Sequence, residues 1–193
     1  MKKAEDRRVL RTRSMLIDAL TDLMIEKGFE AVTIQDIIDR ANVGRSTFYL
    51  HFTDKEQLLS ESINQLREFL KQQSSNRPAV ALSDRYQFGF SLAMLQHAQS
   101  HKHLYRAIAG KKGGATVMYH MHQMLTELIG DEILAFLPSS GLSIPKETVI
   151  DFVVNTFTTL LTWWMDQNMP CSAVELDRIF HKLTLSGLGG FQE

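Results

Sequence analysis

Arg45, Ser46, Thr47 and Tyr49 stand close together in the run GRSTFYLHF, where two small hydroxyl donors lie between a guanidinium and a phenol. Groups of this kind hydrogen-bond to base edges and to phosphate oxygens. They are useful together only if one rigid element presents them on one side. The spacing predicts a short helix from about Arg45 to Leu50, with Arg45, Ser46, Thr47 and Tyr49 outward and Phe48 and Phe52 inward.

The flanking residues supply the elements that would hold this helix in place. Thr33 is a good N-cap with Asp36 at the third helical position, and Ile34, Ile37, Ile38 and Ala41 fall at i, i+3, i+4 and i+7 on one apolar stripe. Asn42-Val43-Gly44 breaks that helix, because Asn tolerates the left-handed backbone of a tight turn and Gly is an acceptable next N-cap. Two short helices at this spacing form a helix-turn-helix, and the second suits the major groove of double-stranded DNA. Before them, Leu16, Ala19, Leu20, Leu23 and Met24 form a stripe closed by Lys27-Gly28. After them, Asp54 caps a fourth helix with Gln57 at its third position. That helix runs to about Gln73 with Leu58, Leu59, Ile63, Leu66, Phe69 and Leu70 on its apolar face.

The same segment resembles the DNA-binding domain of the TetR family of bacterial one-component repressors. The matching residues are Ile17-Asp18-Ala19-Leu20, Lys27-Gly28, Thr33-Ile34, Ile37, Ala41, Val43, Thr47-Phe48-Tyr49, His51-Phe52 and Lys55-Glu56-Gln57-Leu58. Ile38, Asn42 and Gly44 stand where the family usually carries Ala, Gly and often Ser. The resemblance covers about the first third of the chain, and beyond about residue 72 it extends only to helical layout. It implies phosphate contacts from Thr33, Tyr49, His51 and Lys55, with Arg45, Ser46 and Thr47 left to read bases. The alternative for Tyr49 and His51 is that they pack the head against its first helix.

Composition narrows the class. At 193 residues the chain can build one sizeable core or two modest ones. No apolar run reaches bilayer length, no signal-peptide core follows the charged start, and Cys171 is the single cysteine. A reducing cytoplasm and no membrane partner are expected. Net charge is −1, and residues 1–73 hold as many acids as bases, so overall charge does not itself point to DNA. The charges are unevenly placed, however. Lys2, Lys3, Arg7, Arg8, Arg11 and Arg13 face only Glu5 and Asp6, as an arm on DNA or as a solvated tail.

The rest reads as helix near 83–100, 102–109, 114–137, 145–168 and 172–187, with breaks at SSNRPAVALSD, KKGG, PSSGLSIP and MPCS. Ser172 with Glu175 makes a capping box. The expected fold is all-α. Residues 1–53 would be the helix-turn-helix domain, 54–73 a connecting helix, and 74–193 a helical effector-binding and dimerisation domain.

The segment 146–168 is apolar almost all round, so it must be covered on several sides. With the last helix it suggests a four-helix homodimer interface of Phe157, Leu160, Trp164, Leu176, Ile179, Phe180 and Leu183, or else a monomer core made of the same residues. A small-molecule effector would lie among Phe90, Met94, His97, Tyr105, Met118, His122 and Trp163, although core packing explains most of them equally well.

His97 and His101 have a metal-compatible i, i+4 spacing but few neighbouring acids and no nearby Cys, so neither a metal nor a cofactor is expected. The resulting expectation is a ligand-responsive regulator, most readily a repressor, which binds a palindromic operator as a homodimer. Its rivals are a helical enzyme, for which no catalytic constellation is visible, and a ligand-independent DNA-binding adaptor or architectural protein.

Overall fold

Capping chemistry sets the limits of the first helices in the computed structural model, which describes residues 2–76, 88–109, 114–136 and 144–188. Helix α1 (Lys2–Lys27) buries Leu16, Ala19, Leu20, Leu23 and Met24. It stops where Gly28 turns to φ 79° and its N–H donates to Met24 O at 3.0 Å. The basic arm is part of this helix from Lys2 onward. A 3-10 turn, Phe29–Ala31, follows and was not apparent from sequence periodicity.

Thr33 then caps α2 (Ile34–Ala41) reciprocally. The Asp36 N–H donates to Thr33 Oγ1 at 3.2 Å, and the Thr33 N–H donates to Asp36 Oδ2 at 2.8 Å. Lys27 Nζ lies 2.7 Å from the same carboxylate. Together Lys27 and Thr33 hold the Asp36 carboxyl well below the usual carboxylate range. Asn42 ends α2 in the expected left-handed conformation, φ 52° and ψ 49°, with the Val43 N–H donating to Ile38 O at 3.0 Å.

Gly44 begins α3 (Arg45–His51) with an extended backbone, φ −75° and ψ 153°, so nothing in its conformation demands glycine. In α4 (Lys55–Asn76) Asp54 accepts from the Gln57 N–H at 2.7 Å, while Gln57 Oε1 accepts from the Thr53 N–H at 2.6 Å. The helix runs past the expected Gln73.

The second half contains α5 (Ser91–Ser100), α6 (Lys102–Ala109), α7 (Ala115–Phe136), α8 (Lys146–Asp166) and α9 (Ala173–Leu188). Among the described residues there is no strand, and the architecture is all-α. The expected breaks over 77–84, 111–113 and 138–143, and the expected helix start at 83–87, lie outside the described residues. The chain divides into two compact units. Met1–Gln65 groups with His103–His120, and Leu66–Lys102 groups with Met121–Glu193. The first unit therefore takes in α6 and the start of α7, a long-range grouping that local pattern does not reveal.

The core of the second unit is aromatic. Phe90 and Phe157 have ring centroids 5.2 Å apart, Phe157 and Phe180 5.1 Å, and Phe88 and Phe180 5.4 Å. Trp164 is fully buried and donates from Nε1 to Cys171 O at 2.8 Å, across a turn in which Asn168 and Met169 both take positive φ. The Ser172–Glu175 capping box then starts α9.

The buried carboxylate of Asp177 is compensated by a hydrogen bond from Ser91 Oγ. His181 donates from Nδ1 to Asp177 O at 2.8 Å and accepts the Phe88 N–H at Nε2 at 2.9 Å. These bonds tie α9 to the approach to α5. On the outside, Arg67 pairs with Glu127, and Lys71 with Asp131 at 3.4 Å.

Four of the seven expected dimer contacts are corrected by this packing. Phe157, Trp164, Leu176 and Phe180 are buried inside their own chain and fill its core. Ile179 and Leu183 remain exposed and Leu160 is half-buried. A helix apolar nearly all round cannot announce in sequence which arc its own chain will cover.

Replacing Phe180 by Ala is therefore expected to lower unfolding free energy by about 3–5 kcal/mol, as for other buried aromatics, when measured by denaturant titration. A pH effect is expected in the same unit. Burial, with His101 stacked 4.2 Å away, pushes the His97 imidazole down to about 4. The folded state thus favours the neutral ring, and only the unfolded chain binds its proton between the ordinary 6.5 and about 4. Stability is lost as pH falls through that window. Thermal melts at pH 7 and pH 5 should show a smaller drop for His97→Leu than for the unaltered chain.

Candidate nucleic-acid interface

Helix α3 is anchored from beneath. Phe48 is fully buried, and Phe52 follows in extended backbone with its N–H donating to Phe48 O at 2.9 Å. The Arg13 guanidinium lies 4.8 Å over the Phe52 ring and pairs with Glu61 at 3.0 Å. With the inner side fixed, Arg45, Ser46, Tyr49 and Leu50 are exposed, and Thr47 is half-buried at the edge of the face. Tyr49 is 50 % exposed and its ring meets Phe48 edge-on at 5.4 Å, so the phenol is steadied while its hydroxyl end is accessible. Leu50 is not among the expected contacts, since it has no polar group to donate or accept.

The remaining expected contacts have distinct surroundings. The Thr33 hydroxyl is engaged with Asp36, donating to its carboxylate at 2.6 Å. His51 is half-buried, and burial followed by the nearby Arg13 charge lowers its pKa from the ordinary value. It therefore meets a partner mainly as a neutral hydrogen-bonding ring.

Lys55 departs from expectation. Its ammonium turns inward to donate to Val32 O at 2.9 Å, Phe29 O at 3.1 Å and Glu30 O at 3.3 Å, and it sits 4.6 Å over the Phe29 ring. Phe29 O already accepts the Val32 N–H at 3.1 Å, and the lysine adds a second donor to it while also supplying one to the Glu30 and Val32 carbonyls, rather than facing solvent. The Glu30 side chain reaches α7, where Thr116 Oγ1 donates to Glu30 Oε1 at 2.9 Å. Gly114 lies beside that carboxylate, and a Cβ added there would come within 2.5 Å of Oε1.

The expected effector-lining residues are divided between the units. Tyr105 and Met118 belong to the first; Phe90, Met94, His97, His122 and Trp163 belong to the second. Tyr105 is buried, and burial raises its phenol above the ordinary range. Phe90 and Met94 are core residues and Trp163 is exposed. His97 packs against Phe69 at 6.0 Å, and His101 Nδ1 donates to His97 O at 2.9 Å. Among the described residues no group of three metal-ligating side chains forms around them.

Comparison with known proteins places both halves of the chain. Residues 16–61 match the family described as bacterial regulatory proteins, tetR family, and residues 88–186 match the transcriptional regulator C-terminal region. The HTH-type transcriptional regulator YxbF of Bacillus subtilis is 45% identical over 62 residues, which is 32% of this chain and only 16% of that relative's length. The HTH-type negative transcriptional regulator of the biofilm operon icaADBC, IcaR of Staphylococcus epidermidis, is 22% identical over 157 residues, 79% of this chain and 82% of IcaR.

Among solved structures, a TetR transcriptional regulator from Streptococcus agalactiae superposes with a TM-score of 0.68 at 22% identity, covering 95% of this chain and 99% of that one. NalD of Pseudomonas aeruginosa, the secondary repressor of the MexAB-OprM multidrug efflux pump, superposes with a TM-score of 0.62 at 16% identity, covering 93% and 96%. The two matched regions, joined to a helix-turn-helix whose second helix stands on a buried phenylalanine, make the chain a DNA-binding transcriptional regulator of the TetR family.

Proposed function

We propose that the chain is a repressor that binds a palindromic operator in the cytoplasm as a homodimer and is released by a small-molecule effector. The observation that carries the DNA half of this reading is the outward face of α3, where Arg45, Ser46 and Tyr49 are exposed on a helix whose inner side is locked. In this reading residues 1–53 contact DNA, 54–73 connect, and 74–193 bind effector and partner. Arg45 and Ser46 contact bases, with Thr47 at the margin. Tyr49 and Thr33 contact phosphate, His51 contributes a neutral hydrogen bond, and Lys55 contributes only through the helix start that it stabilises.

The dimer rests on what the core leaves uncovered. Phe152 and Trp163 on α8, and Ile179 and Leu183 on α9, are large apolar side chains between 41% and 52% exposed. A twofold partner covering them would supply the second head that a half-site spacing of about one helical turn requires. Repression is supported by IcaR, named a negative regulator, and by NalD, named a repressor. Effector release would work by population shift, with ligand favouring a state whose heads no longer match the two half-sites.

Selection of bound sequences from random duplexes at fixed salt tests the DNA reading, and enrichment of no sequence would remove it. An enriched palindrome is expected, and Arg45→Ala should lose about 1–3 kcal/mol of discrimination at one guanine per half-site. Separately, Leu183→Asp should leave the melting temperature nearly unchanged, sediment as a monomer and bind operator more weakly. A variant that stays dimeric would move the interface elsewhere.

A further inference from the structure

Leu50 is 79 % exposed, more than any other large apolar side chain among the described residues, and it projects from the helix assigned to the groove. Exposed leucines scattered over a surface need no explanation. This one is not scattered. At about 100° per residue, Arg45, Tyr49, Ser46 and Leu50 span roughly a 140° arc, with Ser46 and Leu50 one turn apart along one edge. Two of the four outward positions of a seven-residue helix are thus spent on large side chains with apolar bodies.

The helix is only about 10 Å long, and the major groove is about 12 Å wide, so its last turn lies in the groove with its first. Each base pair presents donors and acceptors there, but the one apolar feature on the groove floor is the C5 methyl of thymine. Leu50 has no polar atom to offer and must lose water on docking, so a methyl is the groove group that compensates it.

We propose that Leu50 is a specificity-determining residue that packs against a thymine methyl in each half-site, beside the base pair contacted by Ser46. The proposal rests on the DNA reading above and adds one element of sequence preference to it.

The test uses the full chain and the duplex obtained by selection. Each thymine is replaced in turn by deoxyuridine, which pairs identically and lacks only the methyl. Binding of the unaltered chain and of Leu50→Ala is followed by fluorescence anisotropy at one salt concentration. One thymine per half-site should cost the unaltered chain about fourfold in affinity when its methyl is removed, the value of one methyl-sized burial. Leu50→Ala should show a loss on the thymine duplex and no further loss on that deoxyuridine duplex. Because the side chain is exposed, circular dichroism and melting temperature should not change.

An unaltered chain that is indifferent to every deoxyuridine, or a Leu50→Ala chain that keeps the full methyl effect, overturns the proposal and leaves operator binding standing. Failure of the unaltered chain to enrich any sequence removes both readings together.

Discussion

Three backbone carbonyls, those of Phe29, Glu30 and Val32, converge on the ammonium of Lys55. The turn closes only one bond of its own, from the Val32 N–H to Phe29 O, and a carbonyl left without a donor costs on the order of 1–3 kcal/mol where it is buried. One side chain from the start of α4 donates to all three and rests its charge on the Phe29 ring. In doing so it joins the first residue of α4 to the segment that launches α2, so the helix pair between them closes into a loop of fixed ends. The outward aim of α3 follows from that closure as much as from Phe48 beneath it.

The second unit is organised around a different constraint, the compensation of one buried carboxylate, that of Asp177. Asp177 is buried, and it is tolerated there because Ser91 donates to its carboxylate. His181 passes the connection on to the Phe88 backbone. Bonds of this kind are directional where apolar contacts are not, so they fix the register of α9 against α5 while the phenylalanine cluster supplies the bulk of the burial.

What was legible in the sequence is what is decided within a few residues. The Thr33–Asp36 box, the left-handed Asn42 and the Ser172–Glu175 box each depend on neighbours no more than four positions away. The motif Thr47-Phe48-Tyr49 followed by His51-Phe52 likewise pointed to the fold of the head. What was not legible depends on distant partners. The carbonyls that claim Lys55 lie 23 to 26 residues before it, and nothing in Lys-Glu-Gln-Leu reveals them. Helix α8 offers apolar side chains in every direction, so Phe157 and Trp164 looked as available to a partner as Trp163, until packing with α9 selected the inner arc. Leu50 carries no hydrogen-bonding group that would mark it in the sequence as a groove contact.

The glycine at position 114 carries a consequence beyond the static contact. A side chain there would meet the exposed Glu30 carboxylate, which would have to swing away and give up the hydrogen bond from Thr116 Oγ1. Positions 30 and 114 are thereby coupled through one hydrogen bond. A lineage that gains bulk at 114 gives up the tie between Glu30 and Thr116, so the worth of the acid at 30 depends on a residue 84 positions away.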